Sequence, residues 1–94
     1  MTEKLSNKIE NPKVSIISVN YDEPEMTCQL LASIDKLKLT DIEIIIVDNG
    51  SPTKSPDIIK KKYPSVNLII SKENLGFAGG NNLGIKEAKG EYLF

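Results

Sequence analysis

Ten residues, Ile42 to Ser51 (Ile-Glu-Ile-Ile-Ile-Val-Asp-Asn-Gly-Ser), constrain this chain most. Ile44 through Val47 are consecutive β-branched residues. Branching at Cβ suits a pleated strand and restricts a helical turn. The run is almost continuously apolar, the pattern of a strand covered on both faces, as in a parallel sheet between helices. It stops on Asp48-Asn49-Gly50-Ser51, a turn signal, because Asn and Gly tolerate positive φ. Asp48 is thereby expected just past the carboxyl end of a buried strand, where ligands bind in open α/β sheets. The stretch alone leaves open whether Asp48 serves a ligand or only closes a turn.

The rest of the chain alternates strand and helix around this run. Residues 1–12 lack apolar periodicity and read as a flexible arm, leaving 13–94 as the folded part. Val14-Ser15-Ile16-Ile17-Ser18-Val19 reads as a first strand ending in Asn20-Tyr21-Asp22. A helix over about 23–37 follows, with Asp22 as N-cap and Pro24 in the first turn. Met26, Leu30, Leu31, Ile34 and Leu37 recur at helical spacing and form its expected core stripe. Ser55 and Pro56 open a short second helix carrying Ile58, Ile59 and Tyr63, which Pro64 ends. The adjoining Lys60-Lys61-Lys62 suits a solvated face better than a phosphate site. Val66 to Ile70 reads as a third strand. Helical spacing resumes at Gly84, Gly90 fits a left-handed helix stop, and Glu91 to Phe94 opens a fourth strand. Such alternation requires right-handed βαβ crossovers and a parallel sheet of three to four strands. Ending inside a strand suggests the N-terminal piece of a longer protein, with an uncovered sheet edge that predicts weak homo-oligomerisation.

Composition narrows the chemistry. The chain has 94 residues, enough for one domain or part of one. Its net charge is −1, so no bulk field recruits nucleic acid. Every basic residue is lysine, which removes bidentate phosphate clamping by arginine. The absence of histidine removes an imidazole base and a Ser-His-Asp triad within this chain. Cys28 stands alone and reads as a small buried hydrophobe. No apolar run approaches the ~20 residues needed to span a bilayer. A reducing, cytoplasmic setting is expected.

Three turns should meet on the carboxyl rim of the sheet: Asn20-Tyr21-Asp22, Asp48-Asn49-Gly50-Ser51, and part of the segment from Asn74 to Gly84. The last lies in a stretch, Ser71 to Gly84, with four glycines and three asparagines. It offers backbone N–H groups at a helix start, an anion-binding device. Asn74, Asn81 and Asn82 offer amides for a base edge or ribose, Asp48 can accept from a ribose hydroxyl or ring N–H, and Tyr21 can line a base. The Gly-x-Gly-x-x-Gly dinucleotide signature and the P-loop signature are both missing. Gly76-x-x-Gly79-Gly80-x-x-x-Gly84 fits close helix packing as well as it fits a ligand.

Four blocks taken together are more specific. They are Val14 to Tyr21, then Ile45-Ile46-Val47-Asp48-Asn49-Gly50-Ser51, then Asn74-Leu75-Gly76-Phe77-Ala78-Gly79-Gly80-Asn81-Asn82-Leu83-Gly84-Ile85, then Ala88-Lys89-Gly90-Glu91-Tyr92. In this order and spacing they resemble the N-terminal half of a family 2 glycosyltransferase with the GT-A fold. The wording of the third block resembles the rhamnosyltransferase-like branch. The resemblance implies the Rossmann-like nucleotide-binding half of that fold, a three-layer α/β/α arrangement. It implies a UDP- or dTDP-sugar donor and a hydroxyl acceptor, in polysaccharide or glycoconjugate synthesis, with the parent enzyme in the cytoplasm or at the cytoplasmic face of the membrane.

Carried over by position, the resemblance implies substrate contacts at Asn20, Tyr21, Asp22, Asp48, Asn49, Gly80, Asn81 and Asn82. It implies Mg²⁺ or Mn²⁺ held by an acidic motif beyond Phe94, and a later carboxylate as base. The 94 residues alone would then hold part of the donor site and be inactive. The alternative is a non-catalytic α/β module that binds a nucleotide or a protein.

Overall fold

A computed structural model describes residues 11–94; residues 1–10, most of the expected arm, lie outside the described residues. The elements are β1 (Val14–Asn20), α1 (Pro24–Lys36), β2 (Ile42–Asn49), α2 (Asp57–Lys62), β3 (Asn67–Ser71), α3 (Gly76–Glu87) and β4 (Tyr92–Leu93). All strand pairs are parallel, in the order β3-β2-β1-β4. This is the expected α/β architecture, with four strands.

Strand alternation in β2 divides the core. Ile44 and Ile46 pack with Cys28 and Leu31 of α1, Ile59 of α2 and Val66. Ile45 and Val47 point to the other face, against α3. Ile45, Ile46 and Val47 are completely buried, which is why the run shows no polar alternation. On the second face α3 comes very close. A Cβ at Gly84 would stand 2.6 Å from Ile17 Cγ2 and 3.2 Å from Val47 Cγ2, and one at Gly80 would stand 3.2 Å from Val19 Cγ2.

Several local expectations are corrected. Of the expected α1 stripe, Leu31 is buried and Ile34 packs against the core, whereas Met26 (62% exposed), Leu30 and Leu37 (65%) lie outside it; α1 also buries Pro24, Thr27 and Cys28. Asp22 does not cap α1. It sits at φ +57°, Glu23 occupies the cap position, and the Asp22 side chain turns to another loop. The third helix begins at Gly76, two turns before the expected restart at Gly84, so most of the glycine-asparagine segment is itself helical. The helix ends at Ala88 in an extended conformation. Gly90 is required by proximity and not by handedness: its N–H donates to Ser15 Oγ at 2.8 Å, and a Cβ would lie 2.6 Å from Ser15 N. Ser55 is not the cap of α2 either: Pro56 occupies that position and Asp57 is the first helical residue, with Ser55 Oγ accepting from Asp57 N–H at 3.2 Å from one residue before the cap.

Cys28 is buried, and desolvation pushes its thiol above the ordinary range, so it stays protonated and inert at neutral pH. The outer edge of β4 is open among the described residues, with Tyr92, Leu93 and Phe94 exposed.

Candidate functional site

The parallel register places Asn20 directly beside Asp48 at the carboxyl ends of β1 and β2. Both side chains are buried, and Asn20 Nδ2 donates to Asp48 Oδ1 at 2.8 Å. Thr27 Oγ1 donates to Asn20 Oδ1 at 2.6 Å. Ser51 closes the other side. Its hydroxyl donates to Asp48 Oδ1 at 2.6 Å and its N–H reaches Asp48 Oδ2 at 3.2 Å. A carboxylate that is 2% exposed is thus held by three neutral donors. Oδ1 takes two of them; Oδ2 takes one long bond and keeps acceptor capacity.

Ser51 also joins the first turn, because its Oγ accepts from Asp22 N–H at 2.7 Å. The Asp22 carboxylate then fastens the loop after β2. It accepts from Thr53 N–H (3.0 Å), Lys54 N–H (2.7 Å) and the Thr53 hydroxyl (2.6 Å). The Thr53 hydroxyl foremost, then the Lys54 N–H, hold this carboxyl below its ordinary range. A group whose folded value is depressed adds stability above its unfolded value, about pH 4, and loses it as pH falls through the folded value. Asp22→Asn keeps a side chain suited to φ > 0 and removes the charge. We expect it to be less stable than wild type at pH 7, with the two urea midpoints converging as pH drops below about 4. A difference that persists unchanged at acid pH would count against this role.

Asn49 follows Asp48 and so points to the opposite face, toward α3. Its Oδ1 accepts from Leu75 N–H at 2.8 Å and its Nδ2 donates to the Gly76 carbonyl at 2.9 Å. Asn74 Oδ1 takes the Gly76 N–H at 2.8 Å. Asn49 therefore anchors the start of α3. Gly50, at φ +75°, is the point where the loop after β2 meets the loop before α3: a Cβ there would lie 2.6 Å from the Glu73 carbonyl carbon.

Among the eight residues expected to bind substrate, Asn20 and Asp48 touch each other, and Asp22 joins them through Ser51. Asn49 and Gly80 meet on the α3 face, where Asn49 Nδ2 lies 3.2 Å from a Cβ built on Gly80. Tyr21 is 46% exposed beside the Asn20–Asp48 pair in sequence and free to meet a ligand. Asn82 is exposed, and Asn81 Nδ2 donates back to the Phe77 carbonyl at 3.1 Å. Neither asparagine contacts Asp48. Sequence reading missed Thr27 and Ser51 as parts of the network. Ser51 had a visible signal, since an Asp followed three residues later by Ser is a local side-chain-to-backbone turn.

A divalent cation, implied by the resemblance, finds no fitting ligand set here. Among the described residues no group of three or more Cys, Asp or Glu side chains converges on a common point. No helix among them is long and apolar enough to cross a membrane.

Comparison with known proteins gives the family and agrees with the fold. The sequence pattern of the family described as Glycosyl transferase family 2 matches residues 15–94. The chain is similar to the uncharacterized glycosyltransferase YwdF of Bacillus subtilis (strain 168), 35% identical over 83 residues, covering 86% of this chain and 30% of the relative. It is similar to the minor teichoic acid biosynthesis protein GgaB of the same organism, 30% identical over 94 residues, covering 95% of this chain and 10% of the relative. Among solved structures, S. aureus TarS 1-349 superposes with a TM-score of 0.71 at 30% identity, covering 86% of this chain and 26% of TarS. The chain thus spans a minor part of the length of each. A family pattern matched over nearly the whole chain, on a parallel sheet with a polar network at its carboxyl rim, means that this chain belongs to glycosyltransferase family 2.

Proposed function

We propose that the protein carrying this chain transfers a sugar from a UDP- or dTDP-sugar to a hydroxyl acceptor, and that these residues form part of the donor-nucleotide site. One observation carries the reading: a buried carboxylate, Asp48, sits at the ends of adjacent parallel strands, bonded among the described residues to neutral donors, with acceptor capacity left on Oδ2. An uncharged donor group, such as a ring N–H or ribose hydroxyl, is what such an acceptor suits. Tyr21 supplies an exposed ring for a base face. Because Asp48 is buried beside Ser51, nucleotide contact requires the Ser51–Lys54 loop to shift, and that loop is held chiefly by Asp22.

In glycosyl transfer the bond from the anomeric carbon to the diphosphate breaks, a bond to the acceptor oxygen forms, and the acceptor proton passes to a base. The described residues bind and orient the nucleotide; the base, the acceptor site and any Mg²⁺ or Mn²⁺ site belong to the remainder of the protein. The chain by itself is inactive. The part of the similar protein GgaB in minor teichoic acid biosynthesis supports a cell-wall polymer as the product class.

The test is calorimetric titration of the full-length protein with UDP and with dTDP, each with and without Mn²⁺. Binding of at least one is expected. Failure of both would favour the non-catalytic module that binds a protein partner.

A further inference from the structure

We infer that Thr27, one turn into α1 and outside every rim loop, is a positioning residue for nucleotide binding. It acts through Asn20 on Asp48, and the inference rests on the donor-site reading above. The two ends of the Asn20 amide have opposite hydrogen-bonding sense. Its Oδ1 receives the Thr27 hydroxyl at 2.6 Å, and its Nδ2 donates to Asp48 Oδ1 at 2.8 Å. With a hydroxyl on one side and a carboxylate on the other, this orientation alone makes both bonds. All three side chains are buried. Solvent therefore does not stand in for a missing partner, and a buried unpaired acceptor is costly. Without the Thr27 hydroxyl, Asn20 Oδ1 is stranded. The amide keeps its Nδ2 on Asp48, because turning over would set its oxygen against the carboxylate, but it loses the bond that fixed its other end. Asp48 is then held by Ser51 and by an Asn20 tethered at one end only, and the geometry of Oδ2 loosens.

Burial of Thr27 on a helix face otherwise lined by Cys28 and Leu31 is itself unusual for a hydroxyl side chain, and Asn20 accounts for it. The inner face of α1 thus carries two kinds of contact: an apolar one to Ile44 and Ile46, and a polar one that ends at the rim.

The experiment is titration of the full-length protein with UDP and dTDP for wild type and four variants. Thr27→Val should raise Kd roughly 3- to 10-fold, the worth of one buried neutral hydrogen bond. Thr27→Ser, which restores the hydroxyl, should return Kd to within about twofold of wild type. Cys28→Ala, which empties neighbouring core without touching the network, should lower the melting temperature and leave Kd unchanged. Asp48→Asn should weaken binding. Wild-type affinity in a folded Thr27→Val protein alongside a weakened Asp48→Asn overturns the role of Thr27 alone, as does an equal loss in Cys28→Ala. Wild-type affinity in Asp48→Asn overturns the donor-site reading and this inference with it. Should Thr27→Val not fold, Thr27→Ala removes the hydroxyl without added branching and is judged by the same outcomes.

Discussion

Gly50→Ala should destabilise the domain by about 3 kcal/mol, the sum of a methyl group at positive φ and a contact that cannot relax. The two contributions are separable. Gly50 has φ +75°, where a Cβ is strained in any surroundings. The added methyl would also lie 2.6 Å from the Glu73 carbonyl carbon and 2.9 Å from Asn74 N. These are backbone atoms, so no side chain can swing away. Gly76 is the internal control. It has φ +78° and nothing within 4 Å of a built Cβ, so Gly76→Ala should cost only about 1 kcal/mol. Urea unfolding of both variants reads the difference. Equal losses would mean that the two rim loops do not press on each other at Gly50. Because those loops carry Ser51 on one side and the start of α3 on the other, Gly50→Ala should also weaken nucleotide binding.

The second large effect is on binding. Asp48→Asn should weaken UDP or dTDP roughly 10- to 100-fold, the range for loss of a hydrogen bond to a charged acceptor. Asparagine is the informative substitution. Its single oxygen can take the place of Oδ1 and keep the donations from Asn20 and Ser51. Its amide nitrogen then stands where Oδ2 was, turning an acceptor into a donor just where a ligand group would donate. Among the described residues the bond lost is the 3.2 Å contact from Ser51 N–H, which then faces an amide nitrogen, so stability should fall by about 1–3 kcal/mol. Asp48→Ala, by contrast, strands the Asn20 amide and the Ser51 hydroxyl and confounds binding with folding. Calorimetry paired with a melting curve distinguishes the two substitutions. Unchanged affinity in Asp48→Asn would remove Asp48 from the nucleotide site.

The sheet was readable because β-branched runs declare themselves. Ile44 to Val47 needed only their order to reveal a strand covered twice, and Asp48 followed from where the run stops. What escaped was structure imposed by neighbours. Glycine and asparagine are poor helix formers, so the stretch from Gly76 to Asn82 looked like loop. It is helical because Gly80 and Gly84 let α3 lie against Val19 and Ile17, a gain that no local propensity contains. In α1 the apolar spacing pointed to Met26 and Leu37, whereas the helix turns Thr27 inward. That choice makes sense only with Asn20 beside it, and Asn20 is fixed by strand register. The N-cap expected at Asp22 failed for a similar reason: three donors from Thr53 and Lys54 outbid one helix end. Of the site, then, the strand-end residues were legible, and the partners that orient them were not.

The strand order has a consequence for biosynthesis. β1 lies between β2 and β4, with Tyr92 N–H donating to the Lys13 carbonyl and Ile17 N–H to that of Phe94. β1 therefore waits for β4, the most distant in sequence of the described strands, before its second side is satisfied. Pairings so distant in sequence close slowly. Until β4 is made, the nascent chain presents one side of β1 as a bare row of amides, a template for strands of other chains.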